Sequence, residues 1–314
     1  MTTSNSAHPV TVLIPARNAE ATLAQTLESL KTQTFRRFEV LVVNDGSSDR
    51  TAQVVTAFQR KMRRLQMIDG PAKGISAALN KGLQQISSPF VARLDADDLA
   101  DPTRLGKQLA ALEGNPSWVL CGSDVSRIDE AGAPLGGMTS PTTPEAIAHR
   151  LWEKNCLYHP SIMFRREAVM RVGGYRSLYD GAEDYDLYLR LREIGELASL
   201  PEMLTAYRIH SGQVTQDPNR KYRQIADAVL LNALRKRAGI AEFSELPKEL
   251  GLFLASEVMA ALSRPETQLS PRVARHMLAR CKKAGAEIGL AKQSLVRSAL
   301  SHRNFQETLK ALAL

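Results

Sequence analysis

The chain has 314 residues, 44% of them hydrophobic, 24% charged and only 5% aromatic. At roughly 100–200 residues per domain this suggests about two domains, with ample length for a buried core. The composition excludes a disordered, collagen-like or disulfide-scaffold protein. Cys121, Cys156 and Cys281 lie far apart with no CxxC spacing. They build no structural zinc site and fit a reducing compartment. The N-terminal MTTSNSAHP lacks the basic start and apolar stretch of a secretory signal. The longest apolar runs, such as Leu250–Leu262, are interrupted by Ser256 and Glu257 and fall short of the roughly 20 residues a membrane helix needs. No spanning helix is expected, and the expected location is cytoplasmic.

The formal charge of +8 is unevenly placed. Residues 1–212 carry 24 Lys+Arg and 24 Asp+Glu, whereas residues 213–314 carry 17 and 9. Glycine and proline also thin out in the last third, and a boundary is expected near Gly212–Pro218. This predicts a first domain over 1–214 and a basic helical domain over 215–314.

In chain order, Val10–Ile14 reads as a buried strand stopped by Pro15. Asn18 then offers an N-cap for a helix over Ala19–Thr32, with Ala21, Leu23, Leu27 and Leu30 at helical spacing. Phe38–Val43 is a second strand, closed by the turn Asn44-Asp45-Gly46-Ser47-Ser48-Asp49. A helix over about Arg50–Lys61, a strand at Leu65–Ile68, a helix over about Gly74–Gln85 and a strand at Phe90–Leu94 follow. Strands alternating with helices in this way predict βαβ units and a mostly parallel sheet. Ligands in such sheets sit beyond the C-terminal strand ends, which here means after Ile14, Val43 and Leu94.

The segment after Leu94, Asp95-Ala96-Asp97-Asp98, puts three carboxylates within four residues. Such acids repel unless neutralised, either by a hard divalent cation shared with phosphate oxygens or by solvation in a turn that caps the helix at Thr103–Leu112. Val172-Gly173-Gly174-Tyr175 reads as a tight turn. Beyond it, Glu183, Asp184 and Asp186 fall in the first turn of a helix, where the dipole favours negative charge.

Together these segments resemble the family 2 glycosyltransferases, the inverting nucleotide-sugar transferases of GT-A fold. The resemblance runs from Val10 to Val214. It is carried by VTVLIPARNAEATLAQTLESLKTQTF, FEVLVVNDGSSDRT, KGISAALNKGL, VARLDADDLADPTRLGKQL, HPSIMFRREAVMRVGGYR, GAEDYDLYLRL and YRIHSG, in the family's order. It implies a Rossmann-like α/β fold with a mixed, mostly parallel sheet, followed here by an all-helical module.

By that resemblance Pro15, Ala16 and Asn18 line the nucleotide pocket, and Asp45 accepts a hydrogen bond from the base. Lys73 and Gly74 lie along the nucleotide, with Asn80 supporting that wall. Asp95-Ala96-Asp97 corresponds to the family's DxD motif, Asp95 reaching the ribose and Asp97 a Mn²⁺ or Mg²⁺ ion, with Asp98 auxiliary. Asp184 corresponds to the catalytic base, and Glu183 binds the acceptor or orients the site. His210 belongs to a loop that closes over the diphosphate or metal. Base and metal must lie on opposite sides of the sugar, and Asp97 and Asp184 are 87 residues apart. Adjacent helical residues point about 100° apart, so only one of Glu183 and Asp184 faces the sugar.

His159, extended before Pro160, fits either the sugar or acceptor pocket or a core histidine; Ser161 is equally open. Arg93 either pairs with a carboxylate or approaches the diphosphate, the former being preferred, and Tyr175, Tyr185 and Tyr188 either stack on a sugar or, the preferred reading, pack. Many relatives carry Ala-Arg-Asn where this chain has Ala78-Leu79-Asn80, which leaves no arginine there for a phosphate. No Gln-x-x-Arg-Trp follows Glu183-Asp184, and the resemblance implies a non-processive enzyme.

Residues 219–238 pattern as an amphipathic helix, as do about Glu245–Leu262, Pro271–Lys283 and Leu290–Leu314. Their basic surface either packs on the catalytic domain and solvates its outer face, or meets an anionic membrane, glycan or protein. Nucleic acid is not an expected partner, because base-stacking aromatics are few. The reading is a metal-dependent inverting transferase. It moves a sugar from a nucleoside diphosphate donor, most simply a UDP-sugar, to a hydroxyl of a glycan or lipid-linked acceptor in bacterial surface polysaccharide synthesis. The rival readings are less well matched. A nucleotidyltransferase needs a glycine-rich N-terminal loop, an oxidoreductase needs GxGxxG after the first strand, and a silent binding module should lack Asp97 or Asp184.

Overall fold

Alternating apolar and β-branched residues form four strands, Val10–Ala16 (β1), Phe38–Asn44 (β2), Leu65–Asp69 (β3) and Phe90–Arg93 (β4). In the computed structural model, which describes residues 8–210, 221–237, 239 and 241–246, these strands pair in parallel in the order β3-β2-β1-β4. The register sets Ala16 beside Asn44 and Leu13 beside Arg93, so the loops after β1, β2 and β4 open along one edge. The connecting helices are Leu23–Lys31 (α1), Thr51–Gln59 (α2) and Ile75–Gln85 (α3).

Period-two alternation sends Val10, Val12 and Ile14 to one face, where they form a core with Leu23, Leu27 and Leu30 of α1. On the other face α3 approaches so closely that a methyl group at Gly82 would stand 2.4 Å from Leu13 Cδ1. Side-chain volume at that one position sets how near α3 lies to the sheet.

The rest of the sheet is not parallel throughout. It comprises Leu99–Ala100 (β5), Trp118–Ile128 (β6), Pro134–Met138 (β7), Met163–Arg165 (β8) and Glu196–Arg208 (β9). β8 runs antiparallel to β4 and β6, and β5 antiparallel to β9, while β6 and β9 pair in parallel. The path β3-β2-β1-β4-β8-β6-β9-β5, with β7 paired to β6, is a mixed sheet flanked by helices. The remaining helices of this region are Arg104–Gly114 (α4), Pro144–Arg150 (α5), Arg166–Arg171 (α6) and Glu183–Leu191 (α7). β7 closes on β6 as a hairpin with a register shift at Arg127/Ile128.

One local expectation is corrected. Asn18 does not cap the first helix, which begins four residues later than the periodicity suggests, behind Thr22. Asn18 instead adopts φ of 51° and faces the β2 loop, its N–H donating to Ser47 Oγ at 3.0 Å and its Oδ1 accepting from Ser48 N at 2.9 Å. The left-handed backbone, tolerable for asparagine, turns the chain toward the neighbouring loop rather than into a helix.

The chain divides into two compact units, residues 1–151 with 155–217 and residues 152–154 with 218–314. In the second, Lys221–Arg237 (α8) buries Val229, Leu230, Leu231 and Leu234, and Asn232 Nδ2 donates to Glu242 at 2.9 Å. The helices expected beyond Leu246 lie outside the described residues, as does Cys281. No helix among the described residues is long and apolar enough to cross a membrane.

Candidate active site

Three loops on the open edge of the parallel strands are laced together by buried hydrogen bonds. Asp45 N donates to Ala16 O at 2.8 Å, and Thr22 and Thr26 hydroxyls both donate to Ala96 O at 3.0 Å. Pro15 and Ala16 end β1 here. Asp45 is only 4% exposed, and its two oxygens accept Ala72 N at 2.7 Å and Gly74 N at 3.1 Å. It thereby shapes the loop that carries Lys73, whose side chain is exposed. Gly74 has φ of 97°, and a Cβ there would stand 2.4 Å from Asp180 Oδ2, so glycine is needed for both reasons. Asn80, in α3 behind that loop, reaches the glycine turn. Its amide donates to Tyr175 O at 2.7 Å and accepts Tyr175 N at 2.9 Å, clamping the Gly173-Gly174 turn.

The acidic turn follows β4. One oxygen each from Asp95, Asp97 and Asp98 lies within 4.8 Å of the others. Each acid has a different neighbour. Asp95 pairs with the buried Arg93, the partner expected of that arginine, and Asp97 Oδ2 lies 2.9 Å from His210 Nε2. Asp98 is 1% exposed; its Oδ1 accepts Arg208 N at 2.8 Å, while Oδ2 has no hydrogen-bond partner among the described residues. Burial first, and then the charges of Asp95 and Asp97, push the Asp98 carboxyl well above the usual range. Burial likewise raises Asp95 against the pull of Arg93. A buried, partnerless carboxylate oxygen facing two more acids fits an all-oxygen hard-cation site, with imidazole at its rim. The turn does not cap α4, whose N-cap is Thr103 with no side-chain capping bond; Asp101 Oδ1 accepts the Thr103 N–H at 2.8 Å just ahead of the helix.

Arg208 holds the turn from the far side. Its guanidinium donates to Asp97 O at 2.8 Å, Glu130 O at 2.8 Å and Gln25 Oε1 at 2.7 Å. Because it ends β9 two residues before His210, strand pairing delivers the histidine to Asp97.

The second group of acids opens α7. Asp186 is neutralised by two guanidiniums, those of Arg176 and Arg190. Glu183 is buried; its Oε2 accepts Gly181 N at 2.7 Å and Oε1 lies 3.6 Å from His159 Nδ1. Burial, and then the Asp184 charge, push the Glu183 carboxyl up to about 7. Burial holds His159 well below its usual range, hence neutral, and its Nε2 meets Tyr175 Oη at 3.0 Å. Asp184 is half-buried, bonded through Oδ2 to Asn155 Nδ2 at 2.7 Å and through Oδ1 to Tyr185 N at 2.7 Å. Its charge reaches Asp95, and Arg93 lies where it feels both Asp95 and Glu183. The two acidic groups therefore face one region.

The sequence-expected Asp45, Gly74, Asp95, Asp97, Asp184, Glu183 and His210 all belong to this constellation. Ser161 does not: its hydroxyl bonds Ser123 O and Tyr158 O inside the core. Tyr175, Tyr185 and Tyr188 are buried, as expected for packing residues. Asn155, Asp180 and Arg208 were not singled out in the sequence. Asn155 and Asp180 sit in irregular segments, and Arg208 ends β9 within the YRIHSG segment; tertiary contact shows what each of the three touches.

The glycosyl transferase family 2 profile matches residues 11–173. The amylovoran biosynthesis glycosyltransferase AmsE of Erwinia amylovora is 33% identical over 231 residues, 71% of this chain and 84% of that one. Among solved structures, S. aureus TarS 1–349 in complex with UDP-GlcNAc superposes with a TM-score of 0.61 at 16% identity, covering 96% of this chain and 89% of that one. The mannosyltransferase PcManGT from Pyrobaculum calidifontis, in complex with GDP-Man and Mn²⁺, superposes with a TM-score of 0.55 at 18% identity, covering 99% and 86%. The likeness to the solved structures is one of fold, the curled mixed sheet with loops open at one edge. The chain belongs to glycosyl transferase family 2 and is a glycosyltransferase of GT-A fold.

Proposed function

We propose that this enzyme transfers a sugar from a UDP-sugar to a hydroxyl acceptor, with inversion, and releases its product after one or a few additions. The observation that carries the reading is the separation of two acidic groups with opposite chemistry. In Asp95, Asp97 and Asp98 the oxygens crowd together, whereas in α7 a single half-buried carboxylate, Asp184, is set apart from its neighbours.

Asp95, Asp97 and Asp98, with His210 at the rim, would hold Mn²⁺ or Mg²⁺. A divalent ion there supplies positive charge to the departing diphosphate. Asp45 keeps the loop at Lys73 in shape, placing an ammonium along the nucleotide. Asp184 accepts the proton of the acceptor hydroxyl as its oxygen bonds to the anomeric carbon and the bond to the nucleoside diphosphate breaks. General-base assistance of this kind is worth about 10²–10⁴ in rate. Glu183, its carboxyl pushed up to about 7 by burial and by the Asp184 charge, neighbours Asp184 without adding a full second charge below that pH.

AmsE is named for amylovoran biosynthesis, and a glycan or lipid-linked acceptor in surface polysaccharide assembly is the proposed context. The basic stretch over 215–314 is the proposed contact with an anionic membrane surface, from the cytoplasmic side.

A thermal-shift series with UDP, GDP, dTDP, ADP and CDP, each with and without Mn²⁺, tests the donor and the metal. Binding at 100 times Kd adds about 2.7 kcal/mol to stability. A shift for UDP that grows with Mn²⁺ is expected. A shift for another base overturns the UDP assignment, and no shift with any of them overturns the donor site.

A further inference from the structure

We infer that Asn155 is a positioning residue for the transfer: its side-chain amide holds the Asp184 carboxylate aimed and ionised. The inference rests on the reading of Asp184 as the base.

Asn155 lies 29 residues before Asp184 in sequence, on an irregular segment after α5, and reaches it across the fold. Its Nδ2 donates to Asp184 Oδ2 at 2.7 Å, while its Oδ1 accepts Leu157 N at 3.2 Å. The second bond decides the orientation of the amide. Turning it over would set an amide oxygen against a carboxylate oxygen and face the Leu157 N–H with an NH₂ group, losing both bonds. The amide is thus locked as a donor. The other Asp184 oxygen accepts Tyr185 N at 2.7 Å, so the carboxylate is held at both ends. Each oxygen keeps a further lone pair, and the half-buried position leaves room for a hydroxyl to use it.

The groups facing Asp184 pull in opposite directions. Glu183 and Tyr188 come from its own helix, Asp95 from the acidic turn, Arg93 from β4 and Tyr175 from the glycine turn. Burial works against the charge. The Asn155 hydrogen bond is the largest influence in its favour, ahead of the Tyr185 N–H and of Arg93. Removing it takes away both the aim and much of the support for ionisation.

The test follows the Asp184 carboxyl directly in the full chain labelled with ¹³Cγ-aspartate, its resonance assigned by its loss in Asp184→Asn. A hydrogen bond to a charged group is worth enough to move a titration midpoint by about one pH unit. In Asn155→Ala the midpoint should rise by that amount, in Asn155→Asp further, and in Asn155→Ser, which keeps a shorter donor, by less. UDP release from UDP-GlcNAc should show kcat reduced about ten- to a hundredfold in Asn155→Ala, with the donor KM within about twofold. Equal melting temperatures confirm that the fold is intact, and Asn155→Ser carries the test if the alanine variant melts early. An unchanged Asp184 midpoint in the folded variants overturns the inference. Undiminished turnover in Asp184→Asn instead overturns the reading of the base, and the titration still decides what Asn155 does.

Discussion

The molecule holds two groups of three acids, and they are handled in contrasting ways. In Asp95, Asp97 and Asp98 the oxygens are brought within 4.8 Å of one another and are only partly compensated, by Arg93, His210 and one backbone N–H. In Glu183, Asp184 and Asp186 each carboxylate has a surrounding of its own: two arginines for Asp186, a backbone N–H and a neutral histidine for Glu183, and an asparagine for Asp184. Crowded oxygens are costly until a cation arrives. Separated ones can differ in protonation within one turn of helix. On the proposed function, like residues serve as a ligand cluster in one place and as an anchor, a buried acid and a base in the other.

That contrast is most sharply tested at Asp184. Asp184→Asn should lower kcat by about 10²–10⁴ while calorimetry finds UDP affinity nearly unchanged; ordinary turnover would erase the distinction between the two groups. Asp186→Ala addresses the anchor. It leaves Arg190 buried without its partner, and loss of one member of a buried pair costs about 3–5 kcal/mol. A clear drop in melting temperature is expected, with Mn²⁺-dependent nucleotide affinity retained. Asp97→Ala should do the reverse, weakening Mn²⁺-dependent UDP binding by about a hundredfold with little change in melting without ligand. His210→Ala should cost about tenfold, as groups that support a metal ligand typically do.

The remaining contrast concerns Glu183 and pH. Its carboxyl is raised from the ordinary 4.5 to about 7, so the folded chain holds a proton that the unfolded chain has released. Stability from this group is complete below about pH 4.5 and is lost as pH rises toward 7. Glu183→Gln, which cannot ionise, should remove that decline and gain about 1–3 kcal/mol over the parent above pH 7, read from melting curves at pH 5 and pH 8. Parallel melting profiles for the two proteins would place Glu183 with the compensated acids.

The two halves of the sheet were unequally legible in the sequence. β1 to β4 are short apolar runs whose bounds differ from the sequence reading by at most two residues; β1 is not stopped at Pro15 but continues through it to Ala16, with Pro15 in register beside Val43. Local chemistry suffices there because β1, β2 and β4 are buried on both faces and so read as continuous apolar runs, while the edge strand β3 is a short run of the same kind, partly exposed. β6 and β9, at 11 and 13 residues, carry Ser123, Asp124, Arg127, Glu202 and Thr205 among their apolar positions and bend through register shifts. They form because they pair with each other across a gap of nearly 70 residues.

The site divides along the same line. What the sequence by itself determined is the set of candidate groups: Asp45, Asp95, Asp97, Asp98, Glu183, Asp184 and His210 stand in motifs short enough to read along the chain. What only the tertiary structure decided is the state of each group. That Asp98 has an oxygen with no partner among the described residues, that burial and the Asp184 charge push the Glu183 carboxyl up to about 7, and that Asp184 is more exposed than Glu183 are set by tertiary packing, in which Arg208, His159 and Asn155 are the neighbours. Those partners come from strands and loops far away in sequence. A carboxylate's charge depends on what surrounds it within a few ångströms, and in this protein most of those surroundings are assembled by the mixed half of the sheet.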